Sequence, residues 1–327
     1  MGAGLFHEKV SPVYKDHKIG VVVPAYNEEG LILDTLRGMP DFVDTIFVVN
    51  DASTDDTLRL IEEQREKDSR IVIINHEKNM GLGQSLIDGY VASADSDIEL
   101  TAVMAGDNQM HPDDLPALLN RLIVQGFDYV KGNRLLHENI DFMPKYRFVG
   151  NAMLTILTKF ATGYYSLMDP QCGYTAIKNS ALRGIPIEEM TKGYGYNADI
   201  LNMLNIRGYS VCDVEVRPVY GRERSKIKLW KYVPKTSSLL VRLFFRRLWQ
   251  RYVVRDFHPL VLFYLFAVFN IVVLIIPLMV RFFYMYRLEG MAPRTTMIIL
   301  VFLLITTFQS ILFAIWMDMD YNRSDRR

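Results

Sequence analysis

Two uncharged apolar runs near the C-terminal end constrain this chain more than any other feature. Pro259 to Val280 spans 22 residues without a charge, and Thr295 to Met317 spans 23. At ~1.5 Å of rise per residue, either run as a helix crosses a hydrocarbon core of roughly 30 Å. Buried core helices of that length normally carry a polar stripe, and these do not. The expectation is a soluble-type domain fixed to a membrane by a helical hairpin.

Charge supports that reading. The chain has 37 basic and 37 acidic residues, yet Arg217 to Arg255 holds twelve Lys or Arg against one acid, Glu223. A block of +11 beside a membrane run reads as contact with anionic head groups or lipid phosphate, and its position argues against nucleic acid as the partner. Cys172 and Cys212 are the only cysteines. They form neither a metal spacing nor a disulfide framework, which fits a reducing compartment. No apolar signal-peptide core precedes Ile19, so the first domain is expected to stay unexported. The loop between the runs has Arg281, Arg287, Arg294 and Glu289, and the tail has Arg323, Arg326 and Arg327. The positive-inside rule then places the large domain and the C-terminus in the cytoplasm, with two spans at about 259–280 and 295–317.

From Lys18 to about Tyr90 apolar strands alternate with amphipathic helices. Strands are expected at 19–23, 45–49, 71–74 and 100–104, with helices at 28–36, 54–67 and 83–92. This alternation predicts an α/β fold with a mostly parallel sheet, whose ligands bind at the carboxyl ends of the strands. The first, second and fourth strands end in Ala25-Tyr26-Asn27-Glu28, Asn50-Asp51 and Gly106-Asp107-Asn108. That convergence predicts a ligand site. Leu239 to Arg255 is amphipathic, with Val241, Phe245, Leu248, Trp249 and Tyr252 on one face and Arg242, Arg246, Arg247 and Arg251 outside it, as in a helix lying in the membrane interface. Three segments are expected: a catalytic-type domain over 1–228, amphipathic juxtamembrane helices over 229–257, and the hairpin with a short basic tail over 258–327.

Single residues invite chemistry. Asp51 ends a strand, where a carboxylate can take the imino and amino hydrogens of a nucleobase or cap the next helix. Asp107 beside Gln109 suits Mg²⁺ or Mn²⁺ shared with a diphosphate, since Mg²⁺ takes few protein carboxylates and fills its shell with phosphate oxygens and water. Asn79-Met80-Gly81-Leu82-Gly83 could lay backbone N–H groups against phosphate. Arg134, Arg147, Arg222, Arg224 and Lys226 are cations suited to an anionic acceptor.

The ordered set VVVPAYNEE, VNDASTDDT, NMGLG, MAGDNQMHP, KGNR, DPQCGY and GRERSK, over roughly Lys18 to Tyr232, resembles glycosyltransferase family 2. Within it the chain is similar to the polyprenyl-phosphate sugar transferases of the dolichol-phosphate mannose synthase type. The resemblance implies a GT-A fold (a Rossmann-like nucleotide-binding domain), a UDP- or GDP-sugar donor, a dolichyl or undecaprenyl phosphate acceptor, and Mg²⁺ or Mn²⁺. By the same resemblance Pro24, Tyr26, Glu28 and Asp51 line the nucleotide pocket, and Asp107 and Gln109 hold the metal. Arg134, Arg147, Arg224 and Lys226 bind diphosphate or lipid phosphate, and Asp107, Arg134, Arg224 and Lys226 carry catalysis. Ala105 replaces the first acid of the family's Asp-x-Asp, and Asn50 stands where relatives often carry Asp.

The implied reaction is an inverting single displacement by a lipid-phosphate oxygen, which needs no general base. Two other readings stand beside it. One is transfer to a hydroxyl of a lipid-linked glycan, which calls for a base such as Asp169 or Asp199. The other is a non-catalytic nucleotide-sugar-binding membrane scaffold. The spans and interfacial helices also leave surface for a homo-oligomer.

Overall fold

The computed structural model describes residues 16–134, 145–193, 195–217, 229–290 and 293–324. It divides into two compact units, Met1–Leu243 and Phe244–Arg327.

The first unit is built on one seven-stranded sheet. Its elements in chain order are β1 (Ile19–Ala25), α1 (Ile32–Arg37), β2 (Thr45–Asn50), α2 (Thr57–Arg65), β3 (Ile71–Asn75), α3 (Leu82–Ala94), β4 (Leu100–Val103), α4 (Leu115–Ile123), β5 (Tyr129–Asn133), α5 (Lys145–Thr162), β6 (Thr175–Lys178), α6 (Asn179–Arg183), α7 (Tyr196–Arg207) and β7 (Val211–Glu215). The sheet order is β3-β2-β1-β4-β6-β5-β7. β1, β2, β3 and β4 are parallel, while β6 runs antiparallel to both β4 and β5, so the sheet is mixed. β1 is apolar throughout and every residue of it is buried, as a central strand covered on both faces must be.

Alternate residues of β1 and β2 feed two cores. Ile19, Val21, Val23, Ile46 and Val48 pack with α1 and α4, and Val22, Phe47 and Val49 pack with α3 and α7. α3 lies unusually close to the sheet, because a Cβ on Gly89 would stand 2.3 Å from Val22 Cγ1. A side chain there would push the helix off β1.

Element ends differ from expectation by a few residues. α1 begins at Ile32 rather than Glu28, because Asn27 to Leu31 forms turns that tie the β1 end to its neighbours.

The second unit holds the end of α8 (Leu229–Trp249), a π-helical turn at Gln250–Arg255, α9 (Leu260–Phe269), α10 (Ile276–Glu289) and α11 (Arg294–Ser324). A second π-helical turn, Asn270–Ile275, joins α9 to α10, and the continuous helix Leu260–Leu288 and the helix Arg294–Arg323 are long and apolar enough to cross a membrane. Only 22% of the most apolar stretch of each is buried within the protein. That exposure is the reverse of a soluble core helix.

The amphipathic assignment at 239–255 needs correcting. Val241, Phe245 and Trp249 are exposed at i, i+4, i+8, but Leu248 and Tyr252 are buried. Arg247, expected on the polar face, is fully buried and bound bidentately to Asp318 at 2.8 and 2.6 Å. Tyr252 Oη donates to the same carboxylate at 2.5 Å, and Asn322 Nδ2 donates to it at 2.9 Å. A buried ion pair is tolerable only when the carboxylate's remaining lone pairs are met by such donors.

Candidate active site

Parallel pairing brings the ends of the first three strands level, with Ala25 opposite Asn50 and Asn50 opposite Asn75. The chain reverses direction across the sheet between β1 and β4, the switch point at which open α/β sheets bind ligands. β5 and β7 end on the same edge, and β6 starts there because it is antiparallel. The segments AYNEE, NDAST, AGDNQ, KGNR and DPQCGY therefore meet along one rim.

The described residues include three non-glycine positions with left-handed backbone: Asn27 (φ 56°), Ala52 (φ 56°) and Asn108 (φ 54°). Each lies two to five residues past β1, β2 or β4. Strain of this kind gathers where a turn must aim groups at a ligand. Neighbouring turns hold these shapes. Ser53 Oγ accepts from Asn27 N at 3.0 Å, Asn27 Oδ1 accepts from Thr54 N at 2.8 Å, and Thr57 Oγ1 accepts from Glu28 N at 2.8 Å.

Asn50 has a clear role in this lattice. Its Nδ2 donates to Asn75 Oδ1 at 2.6 Å, while its Oδ1 accepts from Ser53 Oγ at 2.6 Å. A carboxylate could not donate, so the amide is the residue that links β2 to β3.

Asp51 is buried, and its carboxylate is already well coordinated. Oδ1 accepts from Met80 N at 2.7 Å and lies 2.8 Å from His76 Nδ1, and Oδ2 accepts from Gly81 N at 2.8 Å. His76 Nε2 lies 2.9 Å from Asp88 Oδ2, and Gln84 Nε2 donates to Asp88 Oδ1 at 2.9 Å. The 79–83 loop thus uses its N–H groups inside the fold, with Gly83 N donating to Lys192 O at 3.0 Å. This corrects the idea that those groups face a phosphate. Both glycines have steric reasons: Gly81 has φ +89°, and a Cβ on Gly83 would lie 2.4 Å from Thr191 O.

Around Asp51, Pro24 is buried, Tyr26 is 45% exposed and Glu28 is half-buried. Asp107 and Gln109 are half-buried in one turn, where Gln109 N donates to Asp107 Oδ1 at 3.1 Å. Among the described residues no group of three or more His, Cys, Asp or Glu could hold a metal ion. One carboxylate with one carboxamide oxygen at an accessible turn does fit Mg²⁺ or Mn²⁺ completed by phosphate oxygens and water.

Arg134 follows β5 and holds Asp169 through Nε at 2.8 Å and Nη2 at 3.3 Å. Arg147 falls on α5, while Arg222, Arg224 and Lys226 lie outside the described residues. Asp199 Oδ2 accepts from Thr191 N at 2.9 Å and Thr191 Oγ1 at 2.6 Å. Both acids considered as bases are therefore engaged in holding the fold.

Sequence reasoning missed Lys131, whose side chain is wholly buried. Its Nζ donates to Cys172 O at 2.7 Å and Asn197 Oδ1 at 2.8 Å. Burial pushes the ammonium down to about 8. Lys131 thereby ties KGNR, DPQCGY and the start of α7 into one floor. His76 was missed as well, although its place directly after β3 is the same signal that marked Asp51.

Comparison with known proteins agrees with this geometry. The family model for glycosyl transferase family 2 matches residues 20–185. A UDP-N-acetylglucosamine–dolichyl-phosphate N-acetylglucosaminyltransferase of Methanococcus voltae is 26% identical over 219 residues, covering 63% of this chain and 87% of the relative. A dolichyl-phosphate beta-glucosyltransferase of Trichomonas vaginalis is 26% identical over 246 residues, covering 69% and 71%. In fold the chain is similar to glucosyl-3-phosphoglycerate synthase from Mycobacterium tuberculosis, solved with Mn²⁺ and UDP. The match has a TM-score of 0.55 and 20% identity, and covers 75% of this chain and 86% of that one. A GT-A fold with the family's sequence match over half its length makes this chain a glycosyltransferase of family 2.

Proposed function

We propose that this glycosyltransferase moves a sugar from a nucleoside diphosphate donor to the phosphate of a membrane-held polyprenol. The observation that carries the reading is the rim itself. A buried acid, a half-buried Asp107–Gln109 turn and Arg134 converge on one sheet edge, where Asp169 is held by Arg134 itself, while Asp199 is held by Thr191. A hydroxyl acceptor needs a general base in that rim. A phosphate acceptor is already anionic near neutral pH and needs none. The names of the Methanococcus and Trichomonas relatives support the same acceptor class.

In this reading Pro24, Tyr26, Glu28 and Asp51 form the nucleotide pocket. Asp107 and Gln109 hold Mg²⁺ or Mn²⁺, which when bound offsets negative charge on the diphosphate. Arg134, with Arg147, Arg224 and Lys226, orients the anionic acceptor and leaving group. An acceptor phosphate oxygen forms the new bond to the anomeric carbon. The bond to the diphosphate breaks, and the nucleoside diphosphate leaves with the electron pair. One displacement inverts the configuration. The two apolar helices serve as the membrane anchor, with the large unit and C-terminus on the cytoplasmic side by the distribution of Arg and Lys. Anchoring both partners to one surface supplies proximity.

The test is transfer of label from a panel of radiolabelled UDP- and GDP-sugars into organic solvent. The full-length protein is given Mg²⁺ or Mn²⁺ and a polyprenyl phosphate. Lipid-soluble label from one donor supports the reading; donor hydrolysis or binding without lipid product across the panel contradicts it.

A further inference from the structure

Gln309 interrupts the most apolar part of α11 at mid-length. It stands 15 residues after Arg294 and 14 before Arg323, ~22 Å from either end at ~1.5 Å per residue. Its side chain is exposed, and among the described residues none hydrogen-bonds to it. Two polar neighbours are satisfied within the hairpin. Thr306 Oγ1 donates to Phe302 O at 3.1 Å, and Ser310 Oγ donates to Phe263 O at 2.9 Å. In the anchor proposed above, on which this step rests, the Gln309 carboxamide faces hydrocarbon at the depth where an unmet donor and acceptor cost most.

The residues around it follow a repeat. Ile298, Phe302, Ile305, Gln309, Leu312 and Trp316 succeed one another at intervals of four, three, four, three and four. The five apolar members are each at least 49% exposed. Any lipid-facing surface is apolar, so exposure alone decides nothing. The repeat, however, is the a/d rhythm of a left-handed helix pair, and Gln309 occupies one central position of it. A single polar residue at such a position sets register and partner number.

We infer that a second copy of this chain covers this face, α11 lying parallel to α11 with the two Gln309 side chains in contact. Two copies inserted in the same direction are necessarily parallel about a two-fold axis normal to the membrane, so position 309 meets position 309. A carboxamide is its own complement: the N–H of each donates to the carbonyl oxygen of the other. An isoprenoid or acyl chain offers neither group. A groove between α9 and α11, lined by Phe263, Phe266 and Phe313 beside Gln309, leaves room at the seam for side chains of the second copy.

The test uses the full-length chain with donor and acceptor fluorophores on an N-terminal tag, in phosphatidylcholine–phosphatidylglycerol vesicles over a range of protein-to-lipid ratios. Energy transfer beyond chance proximity is expected for the unaltered chain. Gln309→Leu should weaken association by roughly three- to thirtyfold, as interhelical hydrogen bonds in membranes do. Gln309→Asn should retain most of it, and Leu304→Ala, on the opposite side of α11, should not change it. An unaltered chain that stays monomeric, or a Gln309→Leu variant that pairs equally well, overturns the inference. Pairs that dissolve on addition of polyprenyl phosphate would assign the face to a lipid chain instead. Alkaline carbonate washing of the same vesicles separates the premises. Protein that washes off removes the anchor and this inference together, whereas embedded monomers remove only the inference.

Discussion

Asp51 and His76 are joined at 2.8 Å across the ends of β2 and β3, and His76 reaches on to Asp88 at 2.9 Å. The imidazole therefore fixes the orientation of the buried Asp51 carboxylate at the end of β2, while Met80 and Gly81 N–H groups complete its shell. His76→Ala should cost about 1–3 kcal/mol in unfolding free energy, because it strips a partner from a buried carboxylate. It should also weaken nucleotide affinity several-fold. Asp51→Asn should do more on both counts, as an amide nitrogen would be turned toward at least one donor. Denaturant titration beside calorimetric titration with UDP and GDP separates the two effects.

Lys131 makes a pH prediction whose direction differs from that of a paired surface lysine. Burial lowers it from an ordinary 10.5 to about 8, so between those values the unfolded chain binds the extra proton. Stability must then rise with pH across that window, by up to about 3 kcal/mol for a shift of this size. Unfolding free energy measured from pH 7 to pH 10 should shift in favour of the unaltered protein relative to Lys131→Met as pH rises. A constant difference would show that Lys131 titrates normally.

Arg134 and Asp169 have a structural and a functional part that a double variant can divide. Asp169 is 6% exposed and Arg134 45%. Removing Arg134 alone leaves a buried charge, at a cost of about 1–2 kcal/mol after solvent screening on the exposed side. Arg134→Ala with Asp169→Asn should recover most of that stability. If Arg134 also orients the acceptor phosphate, transfer should remain depressed about tenfold or more in the double variant. Recovery of both would make the arginine purely structural.

In the second unit, Arg247 and Asp318 are each fully buried. Asp318→Ala should destabilise by about 3–5 kcal/mol, while Arg247→Met with Asp318→Leu should be close to neutral. Thermal unfolding of the detergent-solubilised chain followed by tryptophan fluorescence would register the difference.

The strand–helix alternation up to Leu100 was legible because a buried parallel strand is a short apolar run, and β1 to β4 are such runs. The polar ends of β1, β2 and β4 were legible for the same reason. His76 was not, since Ile71 to Asn75 carries a weaker pattern with its edge face exposed, and its partners lie 25 and 12 residues away. Lys131 and Arg247 were hidden by a different physics. Periodicity assigns charges to the outside, and only the tertiary structure shows Cys172 O, Asn197 and Asp318 waiting to receive them. The turn of α5 toward β6, which makes the sheet mixed, is likewise a long-range choice that local pattern does not encode.

The central claim is a phosphate acceptor served by the Asp107 rim. Its most direct measurement compares polyprenyl phosphate with the dephosphorylated polyprenol, using the full-length protein, its preferred nucleotide sugar and Mg²⁺ or Mn²⁺, with product read by mass spectrometry. The account predicts a sugar phosphodiester of the polyprenol, absent with the free alcohol and reduced at least about a hundredfold in Asp107→Ala. Equal transfer to the free alcohol, or full activity of Asp107→Ala, would contradict it.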